Sequence, residues 1–474
     1  MIRIQPSASV FLLPLIVACG GQSDAEKAPS YTWHRDASSV IVEKCAGCHV
    51  DGGIAPFSLT THAEVAALTG PIENSISSGS MPPWQGGDDC NSYSNDFSLA
   101  PTEKEMLLAW LEQGAVEGDP KDAPAATETP EAFALDVELV LPEPYTPVME
   151  PDDYRCQLIE WPLEETSWIT GFRVVPDQTS IVHHTIVFAV GADDIETYRE
   201  MDAADPAPGY TCFGSPSSVE GIGESQDLED LTLPEMYALL ESGELDGFGG
   251  IRWIGGWVPG APTNPAPEGT GLRMEPGDLV IVQMHYNTQS AAPVADQSMV
   301  GFQVASSVER EATMVPFTDP GWVTGLDLLG GPMYIPSGAS DVYHETVIEG
   351  NNPYFGVVRE ELGLPDGAPL EIHSAAHHMH LLGATGSQRV RHATGEETCL
   401  VDIPNWDFGW QGGFDLEKPV VFREEDSLVL GCSWDNSPEN QPIVEGQAQT
   451  TQDVVWGEGS TDEMCLATFY VTGQ

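Results

Sequence analysis

Basic residues are scarce in this sequence. Only 17 lysines and arginines stand among 474 residues, against 74 aspartates and glutamates, for a formal charge of -57. Such a surface repels the phosphates of DNA, RNA and anionic lipid headgroups, so nucleic-acid binding is excluded. Long apolar runs are missing too: past the N-terminus nothing approaches the roughly 18 consecutive apolar residues that a membrane-spanning helix needs. A hydrophobic content of 41% nevertheless excludes a disordered acidic polymer. The charge therefore serves solubility, and the length suits about three domains at roughly 150 residues each.

The N-terminus reads as a targeting segment. Arg3 supplies a basic start, and Val10 to Val17 form an apolar run, broken by Pro14, that ends LIVACGG. That run is too short to span a bilayer. It resembles a bacterial lipoprotein signal, in which processing leaves Cys19 as the lipidated first residue; the other reading is an ordinary secretory signal. Either exports the chain to the cell envelope, periplasm or cell surface, and a lipid on Cys19 anchors an otherwise soluble protein. Residues 1–19 are thus the expected signal, and the small, polar residues 20–30 a tether.

Next comes VIVEKCAGCH, from Val40 to His49. Cys45-Ala-Gly-Cys48-His49 is the attachment pattern of a c-type haem, in which two thiols form thioethers and the histidine ligates iron. No βαβ pattern surrounds it, which argues against a thioredoxin-like pair. A methionine as second axial ligand raises the potential. Met81, in SGSMPPW, is the candidate, because Pro82 forces it into the extended backbone of a loop draped over the haem face. Met106 sits in TEKEMLLAWLEQGA, an amphipathic helix capped by Thr102 and ended by Gly114, where a core role fits better. Residues 31–120 resemble a small all-α cytochrome c, whose chemistry is one-electron transfer, and 121–135 form a linker rich in Pro, Ala and acid.

Beyond the linker the texture changes to short β-rich runs between Pro/Gly turns, such as SIVHHTIVFAV, DLVIVQMHYNT and MCLATFYVTG. That spacing predicts sandwiches or barrels, with a loop-like insertion at 202–265, a short helix near LPEMYALLESG, and a seam near 307–313 between domains 136–306 and 307–474. In LEIHSAAHHMHLLG, His378 and His380 are two apart; on a strand they share a face about 6–7 Å apart and can hold one metal, while His377 and Met379 face away. A solvent-facing histidine cluster at a sheet edge is the blander reading. His183 and His184 are adjacent, so they share a metal only at a strand end or bulge; with His285 they make a three-imidazole set suited to copper, zinc or iron. Met464, in STDEMCLATFYV, is a soft thioether; with two histidines it suits copper that cycles, although alone it reads as core filler. Asp462 and Glu463 precede Met464, where they could steady the loop, but they read first as solvated charges. His373 and His377 are candidates to support a ligand, and His34, His62, His344 and His392 read as surface or structural. Of nine cysteines, lipid takes one and haem two, which leaves six, an even number suited to disulfides in an oxidising compartment; their pairing stays open.

His183-His184, His285, His378-Met379-His380 and Met464-Cys465, in that order across two β domains, closely resemble the type II copper-dependent monooxygenases, the family of dopamine β-monooxygenase and peptidylglycine α-hydroxylating monooxygenase. The resemblance covers roughly residues 136–474. It implies two jelly-roll-like sandwich domains and two copper ions: one on His183, His184 and His285 for electron transfer, the other on His378, His380 and Met464, the catalytic set, for oxygen activation. It also implies disulfides Cys156–Cys212 and Cys432–Cys465; Cys90 and Cys399 have no counterpart, and pairing across domains or staying free are both open. The neighbourhood before His378 is Ser374-Ala375-Ala376-His377, where peptide-hydroxylating members carry an arginine, and Leu466, Ala467 and Thr468 follow Met-Cys where they have polar groups. A peptide carboxylate is therefore not the expected substrate. The expectation is an exported enzyme that hydroxylates a C–H bond of a small organic substrate with O2. Electrons would come from an external cytochrome, quinol-linked or ascorbate-like donor and pass through the covalent haem of Cys45, Cys48, His49 and Met81 to the first copper. The rivals are a non-catalytic electron-transfer or copper-binding haem protein, and a zinc-bearing scaffold.

Overall fold

The computed structural model describes residues 30–51, 55–124, 133–212, 216, 251–258, 265–288, 291–325, 331–444, 447–457 and 459–474. The expected signal with Cys19, the tether up to residue 29, most of the linker and the helix near LPEMYALLESG lie outside them.

The first described unit is helical. Trp33, Ala37 and Ile41 recur every four residues on one helical face, and Leu107, Trp110 and Leu111 recur at i, i+3 and i+4 on the helix Pro101–Glu112. Both faces close on one core with Leu59, Val65 and Ile76, each such fully buried apolar side chain contributing about 1.5–3 kcal/mol. The last helix starts one residue before the expected Thr102 cap: Pro101 takes the first helical position, where its missing N–H costs nothing, and Glu103 accepts from the Ala100 N–H. Gly114 ends it at φ +90°.

The remainder is mostly β. An eight-stranded sheet runs, in spatial order, Val137–Val140, Met299–Ala305, Ser167–Val175, Thr270–Met274, Arg310–Phe317, Leu466–Gly473, Leu370–His378 and Gly413–Phe422. Half of it packs through Phe302, Ile169 and Met274 onto Val187, Val282 and Met284 of a five-stranded sheet. The other half packs through Ile372, Phe422 and Phe469 onto Leu400, Leu430 and Trp434 of a four-stranded sheet. The seam expected near 307–313 is therefore a stitched one. Arg310–Phe317 pairs in parallel with Thr270–Met274 on one side and antiparallel with Leu466–Gly473 on the other, so one sheet serves both β units.

Within the stretch expected to be loop, Ile251–Trp257 is a strand on the edge of the five-stranded sheet, paired with Val182–Val190; its sequence IRWIGGW carries the β-branched and aromatic residues that suit a pleated surface. Helix Ile195–Ala204 covers the outer face of that sheet over the disulfide Cys156–Cys212. Cys432–Cys465 and Cys90–Cys399 are the other two disulfides. Three disulfides belong to a chain folding in an oxidising compartment. Among the described residues no helix is long and apolar enough to cross a membrane.

The chain from Trp84 to Asn95 ties the helical unit to the second β unit. Trp84 packs on Tyr93 and Phe414, Tyr93 bridges Leu416, and Cys90 is disulfide-bonded to Cys399.

Candidate metal centres

The first cluster is a product of one irregularity in a ladder. Strand Val182–Val190 pairs with Leu279–Asn287, and the register slips between Val182, opposite Tyr286, and His184, opposite His285. His183 sits in that bulge, one of the two arrangements, strand end or bulge, in which adjacent histidines can share a metal. As a result His183 and His184 approach through Nδ1 at 3.4 Å, and His184 and His285 through Nδ1 at 3.2 Å. Three nitrogens each about 2.0–2.1 Å from one ion stand roughly 3.3–3.5 Å apart, so the set fits a metal.

Around it, Asp152 Oδ1 lies 2.9 Å from His285 Nε2. A carboxylate accepts, so His285 donates from Nε2 and keeps a lone pair on Nδ1, facing the other two rings. Tyr154 stacks on His285 at 4.0 Å between centroids, with the planes 5° apart. Burial pushes His183 down to about 3 and His184 well below its usual value. Both are neutral imidazoles, the form that ligates. Burial acts to raise Asp152, but hydrogen bonds from His285, Ser460 and Asn287 hold it down at about 2.

The second cluster forms where a ladder ends. A bulge at His373 shifts the phase of Leu370–His378, so that Ala375 and His377 face the core and His378 the other side. His378 is the last residue of the strand; His380 lies beyond it, not on the regular strand that its spacing predicts. Their rings stand 5.0 Å apart, nearly perpendicular. Gln411 Nε2 donates to the Phe408 carbonyl at 3.0 Å, which turns Oε1 toward His378 Nδ1 at 2.5 Å. His380 Nδ1 meets the Asp462 carbonyl at 3.2 Å. Both acceptors require protonated Nδ1, so each ring leaves Nε2 open. Burial pushes His378 down to about 4 and His380 well below its usual value.

Met464 is buried at the same end of the sheet, two residues before Leu466, which pairs with His378. What brings it there is Glu463, fully buried and not the solvated charge its sequence context implies. Its carboxylate accepts from the backbone N–H of His380 at 2.9 Å, Leu382 at 2.6 Å and Met464 at 3.3 Å, and from Trp434 Nε1 at 2.8 Å. Burial pushes Glu463 up to about 7 against those four donors.

His377 is also fully buried, its Nδ1 accepting from Gln388 at 3.0 Å and its Nε2 lying 3.3 Å from Cys432 Sγ. His373 meets Thr472 Oγ1 at 2.9 Å, away from the cluster. The two clusters adjoin through Phe408, whose ring lies 5.6 Å from that of His183 and 5.9 Å from that of His380. Asp152 completes the junction: its Oδ2 accepts from Ser460, four residues before Met464, at 2.8 Å.

In the helical unit, Cys45 and Cys48 are free, half-buried thiols, although the other six described cysteines are paired. Burial pushes Cys45 up to about 11 and also raises Cys48. His49 donates from Nδ1 to the Phe57 carbonyl at 3.1 Å, which leaves Nε2 open as a ligating histidine requires. These residues fit a covalently attached haem. Met106 packs against the helical core, and Met81 is half-buried just before Trp84.

Asp152, Phe408 and Gln411 are the site residues that sequence reasoning missed, and Glu463 enters it only as a charge that could steady the Met464 loop. None sits in a motif, and each reaches a histidine from a distant segment.

No family model matches this chain, and no curated protein does. Among solved structures it is similar to PNGF-II in space group P21, with a TM-score of 0.22 and 9% identity over 71% of this chain. The match spans 59% of that structure's chain, and at such a TM-score it carries no argument.

Proposed function

We propose that this chain is an exported copper-dependent monooxygenase of the type II kind, with a cytochrome c-like unit at its N-terminus and two jelly-roll-like β domains behind it. The observation that carries the reading is the pair of adjoining clusters, in which hydrogen bonds to Asp152, Gln411 and Asp462 leave an open nitrogen on His285, His378 and His380. His183, His184 and His285 would hold one copper, and His378, His380 and Met464 the other. Bound copper supplies one-electron redox chemistry and the activation of O2 for C–H hydroxylation; a haem on Cys45, Cys48, His49 and Met81 supplies electrons.

The chain's own part is positional. Asp152 keeps the proton of His285 on Nε2, and Gln411 keeps that of His378 on Nδ1, so neither ring turns its N–H toward a metal. Glu463 fixes the backbone of His380 and Met464 together. His380 is buried and His184 and His378 are half-buried, which keeps the rings neutral near pH 7.

Metal analysis with an optical spectrum of the purified chain should give two coppers and one haem per chain. Replacing Met464→Ala should then leave copper on the three-histidine cluster and abolish O2-dependent turnover. Unchanged O2 consumption in that variant contradicts the assignment and leaves an electron-transfer or copper-binding haem protein. Zinc in place of copper sinks the redox reading altogether.

A further inference from the structure

The side chain of Gln85, in the segment that ties the helical unit to the second β unit, is fully committed to one loop of that β unit. Its Oε1 accepts from the Asp407 N–H at 3.1 Å; its Nε2 donates to the Asp407 carbonyl at 2.9 Å and also to the Trp410 carbonyl. An amide held in this way acts as a piece of backbone supplied from 322 residues away.

The loop it grips, residues 404–412, touches both clusters. Trp406 Nε1 donates to the His380 carbonyl at 3.0 Å, Gln411 sets the proton of His378, and Phe408 stands between His183 and His380. The loop contains Gly409 and Gly412, residues that lose most conformational freedom on ordering, so it needs an outside partner to hold one shape. Gln411 is one residue from Trp410, whose carbonyl Gln85 holds. The disulfide Cys90–Cys399 and the Tyr93–Leu416 bridge keep Gln85 in reach.

We propose that Gln85 is a positioning residue of the second metal centre, acting through the 404–412 loop on His378. The inference rests on the copper reading above. It makes the segment that follows the helical unit's Met81 a structural part of the second centre, the opposite end of the junction from the cluster to which a haem relay was expected to deliver.

The test uses the full-length chain carrying His184→Ala, so that copper titration and the cupric EPR spectrum report the second centre alone. Groups that orient ligands typically cost 10–100-fold in metal affinity when removed, so Gln411→Ala should weaken copper by about that factor and Gln85→Ala by roughly 3–10-fold. Gln85→Ala should shift the EPR hyperfine parameters in the same direction as Gln411→Ala. In a Gln411→Ala background the Gln85 substitution should add nothing, because both act on one ring. An unchanged isotherm and spectrum for Gln85→Ala overturn the inference. So does an equal loss at the first centre, measured in a Met464→Ala background, because it makes Gln85 a general determinant of folding. A parent chain that takes up no copper at the second centre refutes the copper reading itself, a result distinct from either.

Discussion

The first cluster is built inside a β-ladder and the second at the end of one. His183, His184 and His285 are placed by backbone pairing on both sides of a single bulge, and Asp152 sets the proton of His285. His378 and His380 leave the ladder at the point of use, and their rings depend on Glu463, Gln411 and the Asp462 carbonyl. A ladder preforms its ligands at no further cost. A strand end allows freer placement, including a methionine from another segment, but the rigidity has to come from buried polar groups.

The largest expected effect follows from that contrast. Glu463→Ala leaves four buried N–H donors without an acceptor, each costing about 1–3 kcal/mol, and relaxation brings the total to about 3–5 kcal/mol. Chemical denaturation should show that loss, and, on the proposed copper reading, metal titration should show the second centre abolished while copper at the first is retained. Equal damage to both centres would break the comparison.

Next is the disulfide Cys432–Cys465, adjacent to Met464 and closing a loop of 33 residues. Replacing both cysteines by serine should cost about 3–4 kcal/mol by loop entropy. It should also make a chelator strip copper from the second centre first. Removing Cys156–Cys212, which lies under the outer helix of the five-stranded sheet, should destabilise the chain with both copper affinities kept. A third effect belongs to the first cluster: Asp152→Ala should weaken its copper by about 10–100-fold, read by titration in a Met464→Ala background.

How legible this was in the sequence divides along the same line. Short β-rich runs between Pro/Gly turns announced the β units, and the amphipathic spacing around Trp110 announced a helix of the helical one. The histidines stood out by residue type; Met464 as a ligand and the pairs Cys156–Cys212 and Cys432–Cys465 came only with the family resemblance, and Cys90–Cys399 was left open. Adjacency of His183 and His184 even implied a bulge, because a regular strand points neighbours to opposite faces. Glu463 was legible in part: its place before Met464 suggested a group that steadies the loop, but beside Asp462 it read first as solvated, and only tertiary structure supplies four N–H donors to offset its burial. Gln85, Phe408 and Gln411 were hidden for the same reason, since a loop contact between segments 322 residues apart leaves no local pattern. The continuous sheet across the seam was equally silent, because strand order is not written in periodicity.

The smallest effect tests whether the two clusters are tied or merely adjacent. Asp152 divides its oxygens: Oδ1 serves His285 and Asn287, and Oδ2 takes the Ser460 hydroxyl from the loop that leads to Met464. Ser460→Ala removes one charge-assisted hydrogen bond but leaves Oδ1 untouched, so the stability loss should be about 1–2 kcal/mol. Copper affinity at the first centre should stay within a few-fold of the parent's. If the bond ties the centres, Ser460→Ala combined with Asp152→Ala should cost no more stability than Asp152→Ala alone. Additive losses in that double-mutant cycle mean that the hydroxyl and the carboxylate act independently. The junction would then rest on Phe408 alone.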